Sequence, residues 1–90
     1  MNSEVTKNFI SLFKKLPERV QKTARKNYSL WKENSQHPSL DFKKVHTSKS
    51  FYSIRIGPGW RAVGILKDET TIVWFWIGSH NDYDKLLNSQ

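Results

Sequence analysis

Tyr52-Ser53-Ile54-Arg55-Ile56-Gly57-Pro58-Gly59-Trp60-Arg61-Ala62 is the stretch that decides the fold. Two β-type runs flank Gly57-Pro58-Gly59, a turn signal three residues long. Such a connector closes an antiparallel hairpin and sets its register, with Ile56 facing Trp60 and Arg55 facing Arg61. Arg55, Arg61, Ser53 and Val63 then share one sheet face. Like charges opposed across a sheet repel, so replacing Arg61 by alanine is expected to leave the fold intact or more stable. Two readings of the pair stand. An anion lies between the arginines, matched by two guanidinium forks, or each arginine pairs an acid or is displaced by a bulge.

Working outward, further β-type runs fall at 42–45 and 71–77, joined by the short connectors Thr47-Ser48-Lys49 and Lys67-Asp68-Glu69. Short connectors favour an antiparallel meander. Ile72-Val73-Trp74-Phe75-Trp76-Ile77 is apolar on both faces, which marks a central strand covered on both sides. Ahead of the sheet, Val5, Phe9, Leu12, Phe13 and Leu16 form the stripe of an amphipathic helix. Pro17 and Glu18 suit the first turn of a second helix, which buries Val20, Ala24, Tyr28 and Trp31 along one side. No strand pattern precedes the first helix. The predicted fold is α+β, a single domain over residues 1–90. Two N-terminal helices pack on one face of a four-stranded, mainly antiparallel curved sheet, and residues 80–87 form a short C-terminal helix.

Composition narrows the class. Ninety residues leave room for one small core. Twelve aromatic side chains are more than a disordered chain carries, and the absence of cysteine removes disulfides, thiolate metal sites and a cysteine nucleophile. Met1-Asn2-Ser3-Glu4 shows no signal-peptide pattern, and the longest apolar run, six residues, is far short of the ~20 a membrane helix needs. A cytoplasmic protein without membrane contact is expected. The net charge is +7, and it is one-sided: residues 1–50 hold eleven basic and four acidic side chains, residues 51–90 four of each. Such a field attracts polyanions or simply solubilises the surface.

The last strand delivers Gly78-Ser79-His80-Asn81-Asp82-Tyr83. Histidine is the usual proton-transfer group near neutral pH, and tyrosine donates a proton or stacks on a base. His37, His46 and His80 lack metal-ligand spacing, so no metal or other cofactor is expected.

The hairpin Tyr52 to Ala62 resembles the "Y-x-I-R…G-[YW]-R" pattern of the RelE/ParE superfamily of bacterial toxin–antitoxin toxins. Ile77-Gly78-Ser79-His80-Asn81-Asp82-Tyr83 resembles that family's "IG-x-H-x-x-Y" close, and Leu16-Pro17-Glu18 and Leu40-Asp41-Phe42-Lys43-Lys44 fit as well. In its RelE-like branch the resemblance implies a metal-independent endoribonuclease that cleaves mRNA on the ribosome and inhibits translation. Arg61 matches the strand arginine that stabilises the phosphate, Arg55 a second strand cation, His80 an acid or base, and Tyr83 an assisting or stacking group. Lys43, Lys44, Arg25 and Lys26 are the implied RNA-binding cations. Ser53 stands where some ribonuclease members have lysine. The implied partner is a cognate antitoxin, with a monomeric free toxin and a higher assembly in the complex. The ParE-like branch implies instead a non-nuclease inhibitor of DNA gyrase. An inactive basic binding domain of the same fold is the third expectation.

Overall fold

The β-type runs pair as the turn chemistry predicts. In the computed structural model, which describes residues 1–46 and 48–89, β3 (Phe51–Arg55), β4 (Trp60–Asp68) and β5 (Thr71–Ser79) form an antiparallel meander. A two-residue edge strand, β2 (Lys43–Lys44), pairs antiparallel with β3. Of the connector expected between them, Thr47 lies outside the described residues. The β4–β5 turn is closed by Asp68, whose carboxylate accepts from the backbone N–H and hydroxyl of Thr70 at 2.8 and 3.0 Å.

The N-terminus departs from expectation. Residues Asn2–Val5 form a further strand, β1, parallel to β5, so the described residues make a five-stranded mixed sheet ordered β1-β5-β4-β3-β2. Asn2-Ser3-Glu4-Val5 carries no alternating apolar pattern. Backbone donors anchor it instead, with Asn2 N–H on the Thr70 carbonyl and Thr6 N–H on that of Trp74, and any sequence supplies those. Val5 therefore belongs to a strand and is 48% exposed rather than part of the helical stripe. Thr6 ends the strand and caps α1 (Lys7–Lys14), its hydroxyl accepting from Phe9 N–H at 3.0 Å. Helix α2 (Glu18–Glu33) begins directly after Pro17.

Both helices pack on one sheet face. Val20, Ala24 and Trp31 of α2 meet Ile54, Ile56, Ala62, Ile72, Trp74 and Ile77, with Phe9, Leu12, Phe13 and Leu16 closing the layer. Trp31 is the hub, edge-on to Trp74 at 5.4 Å and to Phe42 at 5.8 Å between ring centroids. Tyr28 does not join it: the residue is 41% exposed. At 3.6 residues per turn Tyr28 lies about 60° round the helix from Trp31, so only its ring stacks on Trp31 while its hydroxyl pairs with Ser3 of β1.

Helix α3 (His80–Asn88) covers the opposite face, where Tyr83, Leu86 and Leu87 pack on Phe51, Val63, Phe75 and Trp76. The sheet is thus covered on both sides, as the all-apolar 72–77 run requires. A bulge in β5 aids this. Val63 pairs with Trp76 and the next residue, Gly64, with Trp74, leaving Phe75 as the extra residue. Phe75 and Trp76 consequently both reach the α3 face. Gly64 is required there, because a Cβ would sit 2.9 Å from the side chains of Ile72 and Trp74.

Trp74→Ala should lower unfolding free energy by about 3–5 kcal/mol, the range for deleting a buried aromatic. Equilibrium urea unfolding measures it, and near-parental stability would contradict the central placement of β5.

Candidate anion-binding cleft

The Gly57-Pro58-Gly59 loop adopts the shape the sequence implies. Gly57 and Gly59 take φ of +62° and +88°, which glycine tolerates without strain. Ile56 N–H donates to the Trp60 carbonyl at 2.9 Å, and Arg55 pairs with Arg61 in the expected register. The tip is tied to its neighbours on two sides. Asn27 of α2 donates its amide to the Arg55 carbonyl at 2.8 Å, and His80 N–H donates to the Gly59 carbonyl at 2.8 Å. Between these ties lies a cleft of about 660 Å³, whose lining includes Lys26, Arg55, Trp60, Arg61 and His80.

The two arginines have different fates. Arg55 is exposed. Arg61 is 5% exposed, and its guanidinium is held from several directions. Its Nε and Nη2 donate to Ser53 Oγ at 3.1 and 2.8 Å, Nη2 also donates to the Asp41 carbonyl at 3.1 Å, and Nη1 lies 3.4 Å from Asp41 Oδ2. Its plane sits over the Tyr83 ring at 5.3 Å, and the Tyr83 hydroxyl donates to Ser53 Oγ at 3.3 Å. In the free chain Arg61 therefore pairs an acid. This arrangement runs against the expectation that its removal relieves repulsion: its loss would take two donors from the buried Ser53 hydroxyl and the cation from over the Tyr83 ring.

Asp41 was not singled out from the sequence, although an arginine in need of an acid was. It follows a short 3-10 turn, Pro38–Leu40, and takes a left-handed conformation with φ +45°. Its Oδ2 also meets Lys43 Nζ at 3.3 Å. The hydrogen bond from Lys43 holds the Asp41 carboxyl below its usual value. Partial burial opposes this, and the charges of Lys43, Arg61 and Arg55 add to it.

His80 opens α3, and Ser79 caps that helix by accepting from Asp82 N–H at 3.2 Å. The His80 Nδ1 lies 3.3 Å from Asp84 Oδ2, one helical turn on. A Nδ1–H donated to that carboxylate leaves Nε2 as the free lone pair. The ring also meets the Tyr83 ring edge at 5.5 Å, which links His80 through Tyr83 to Arg61. The i, i+4 spacing of His80 and Asp84 on a helix is a signal the sequence did contain.

Of the sequence-derived set, Lys26, Arg55, Arg61 and His80 line one cleft, with Tyr83 packed on Arg61 and Lys43 joined to Arg61 through the Asp41 carboxylate. Lys44 is directed to the other sheet face, since it pairs with Tyr52 while Lys43 pairs with Ser53. Arg25 lies over the Phe13 ring at 5.0 Å and lines a separate apolar groove between α1 and α2.

The ParE-like toxin domain family matches residues 18–85, a span that holds every residue of the cleft. The chain belongs to that family. Its RelE/ParE resemblance extends to solved structures. The toxin–antitoxin complex RelB-RelE from Methanococcus jannaschii aligns at a TM-score of 0.73 and 20% identity, covering 92% of this chain and 96% of that one. YafQ from E. coli strain BL21(DE3) aligns at 0.72 and 14%, covering 91% and 96%. The YoeB/ParE toxin from Agrobacterium tumefaciens aligns at 0.68 and 12%, covering 89% and 99%. At these identities the likeness is one of fold. No curated protein sequence matches the chain. No helix among the described residues is long and apolar enough to cross a membrane.

Two outcomes test the buried network. Ser53→Ala leaves two Arg61 N–H donations and the Tyr83 hydroxyl without their acceptor, so it should cost about 1–3 kcal/mol in urea unfolding. The pH dependence has a fixed sign. Asp41 titrates lower folded than unfolded, so its contribution is present above the unfolded value of ~3.9 and is lost as pH falls through the folded one. The stability gap between the parent and Asp41→Asn should therefore stay constant from neutral pH down to about 5 and close only below about 3.9.

Proposed function

We propose that this ParE-like chain is the toxin of a toxin–antitoxin pair and acts in the cytoplasm as a metal-independent endoribonuclease, cleaving mRNA on the ribosome. The observation that carries this reading is a histidine, oriented by Asp84, on the same cleft as Arg55 and Lys26. Transesterification within RNA needs a proton acceptor for the 2′-hydroxyl and positive donors around the phosphate as it becomes pentacoordinate. His80 Nε2 accepts the 2′-hydroxyl proton as the 2′-oxygen bonds to phosphorus. The bond from phosphorus to the 5′-oxygen breaks, and that oxygen takes a proton from a water molecule, which is restored by the proton held on His80. The products are a 2′,3′-cyclic phosphate and a 5′-hydroxyl. Arg55 and Lys26 hold the phosphate oxygens. Arg61 forms part of the cleft wall with Tyr83 packed on it, and Lys43 extends the positive track. The antitoxin partner is supported by similarity to proteins solved as RelB-RelE and DinJ-YafQ toxin–antitoxin complexes.

A second reading, inhibition of DNA gyrase without RNA cleavage, is favoured by one observation. Arg61, the arginine the resemblance assigns to the phosphate, is already engaged by Asp41 and Ser53.

Primer extension on mRNA after induced expression, run beside a plasmid supercoiling assay, separates the two. Cuts within translated codons are the expected result; loss of supercoiling without cuts would replace this reading with the second. His80→Gln should slow cleavage of ribosome-bound mRNA by about 10²-fold or more while changing ribosome affinity little. Arg55→Ala and Lys26→Ala should chiefly weaken binding and flatten its salt dependence.

A further inference from the structure

Three of the cations around the cleft, Arg55, Arg61 and Lys43, act on a single carboxylate, that of Asp41. Two of them touch it, and the contacts are unusual in form. Arg61 Nη1 and Lys43 Nζ both approach the same oxygen, Oδ2, at 3.4 and 3.3 Å. Charge-assisted hydrogen bonds of good geometry are about 2.7–2.9 Å long. One carboxylate oxygen thus serves two cations loosely. The Asp41 side chain is 36% exposed, whereas the arginine it pairs with is buried. Arg61 does not depend on that carboxylate for its place, because Ser53 Oγ and the Asp41 backbone carbonyl hold its Nε and Nη2.

We propose that Asp41 occupies, in the free chain, a phosphate subsite formed by Arg61 and Lys43, and that a phosphodiester of the RNA displaces it. This rests on the RNA reading above and deepens it. A phosphodiester has two non-bridging oxygens, so it meets Arg61 and Lys43 with one oxygen each, which Asp41 does not do. The displaced carboxylate turns to water from a residue already partly exposed. Asp41 is then a specificity-determining residue: it repels isolated or weakly held anions, and admits only a phosphate brought in by contacts elsewhere on the cleft, such as those of Lys26 and Arg55. Arg61 is thereby returned to the reacting phosphate once substrate is seated.

The test uses the whole chain and two probes, inorganic phosphate and a short single-stranded RNA. Asp41→Asn keeps the side-chain shape and suits φ +45°; Asp41→Gly suits it too and serves if the first variant does not fold. Phosphate binding is read at the Arg61 Nε–H resonance. Removing the competing charge should tighten phosphate binding about two- to fivefold, the scale of a partly exposed ion pair. The RNA affinity should rise with it, and its log–log salt slope should steepen by up to about 0.7, because no displaced carboxylate is left to take up a cation. In the Asp41→Asn, Arg61→Gln double variant the gain should vanish. Unchanged phosphate affinity in both single variants, or a gain that survives Arg61→Gln, overturns the proposal. Phosphate bound at Arg61 by a chain that cuts no mRNA would instead keep the subsite and remove the nuclease reading.

Discussion

A buried guanidinium organises this protein. Arg61 is out of water on β4, and a charge so placed is tolerated only when its donors are met. Here they are met from three parts of the chain. Ser53 comes from the neighbouring strand, Asp41 from the turn that precedes β2, and the Tyr83 ring from α3. None of these contacts forms unless the hairpin is in register, the 38–41 turn is folded back on the sheet edge, and the last helix is docked. Arg61 therefore couples the edge, the centre and the C-terminal helix, where hydrophobic packing alone would join them with less directional demand.

The division of the sheet into two faces follows from that arrangement. One face is dry and aromatic, centred on Trp31 against Trp74, and it supplies the bulk of the burial. Both indole N–H groups lie buried without a hydrogen-bond partner in the described structure, so ring area holds this pair together. The other face carries the polar cluster of Ser53, Arg61 and Tyr83, flanked by the smaller apolar layer of Phe51, Val63 and Tyr83. The basic cleft opens at the hairpin end, where Asn27 and His80 clamp the loop from opposite directions. A site at that junction draws rigidity from both cores while keeping its own cations near solvent.

The same junction explains why charge count alone says little about the site. Of the basic residues proposed to meet RNA, Lys26 reaches the cleft while its neighbour Arg25 turns to Phe13, a consequence of 100° per residue on a helix. Lys43 and Lys44 separate for the analogous reason on a strand, where successive side chains alternate. Adjacent cations are therefore not a patch until the element beneath them is known.

Local signals were enough for much of the fold. The turn Gly57-Pro58-Gly59 dictates the register that opposes Arg55 and Arg61, and the apolar run at 72–77 dictates a doubly covered strand, because glycine torsions and side-chain alternation act over a few residues. Helical periodicity likewise placed Trp31 inward, though it could not separate Tyr28 on the flank of the same stripe. What depends on contacts between distant segments was not legible. Strand β1 is held by backbone bonds that leave no trace in side-chain pattern, and α3 reaches the second sheet face only once Phe75 and Trp76 are turned together by a bulge. The partner of Arg61 was a choice between an anion and an acid as long as the chain was read in one dimension. In the free chain tertiary structure gives it Asp41, twenty residues away, because only the folded turn at 38–41 brings that carboxylate within reach of a buried arginine.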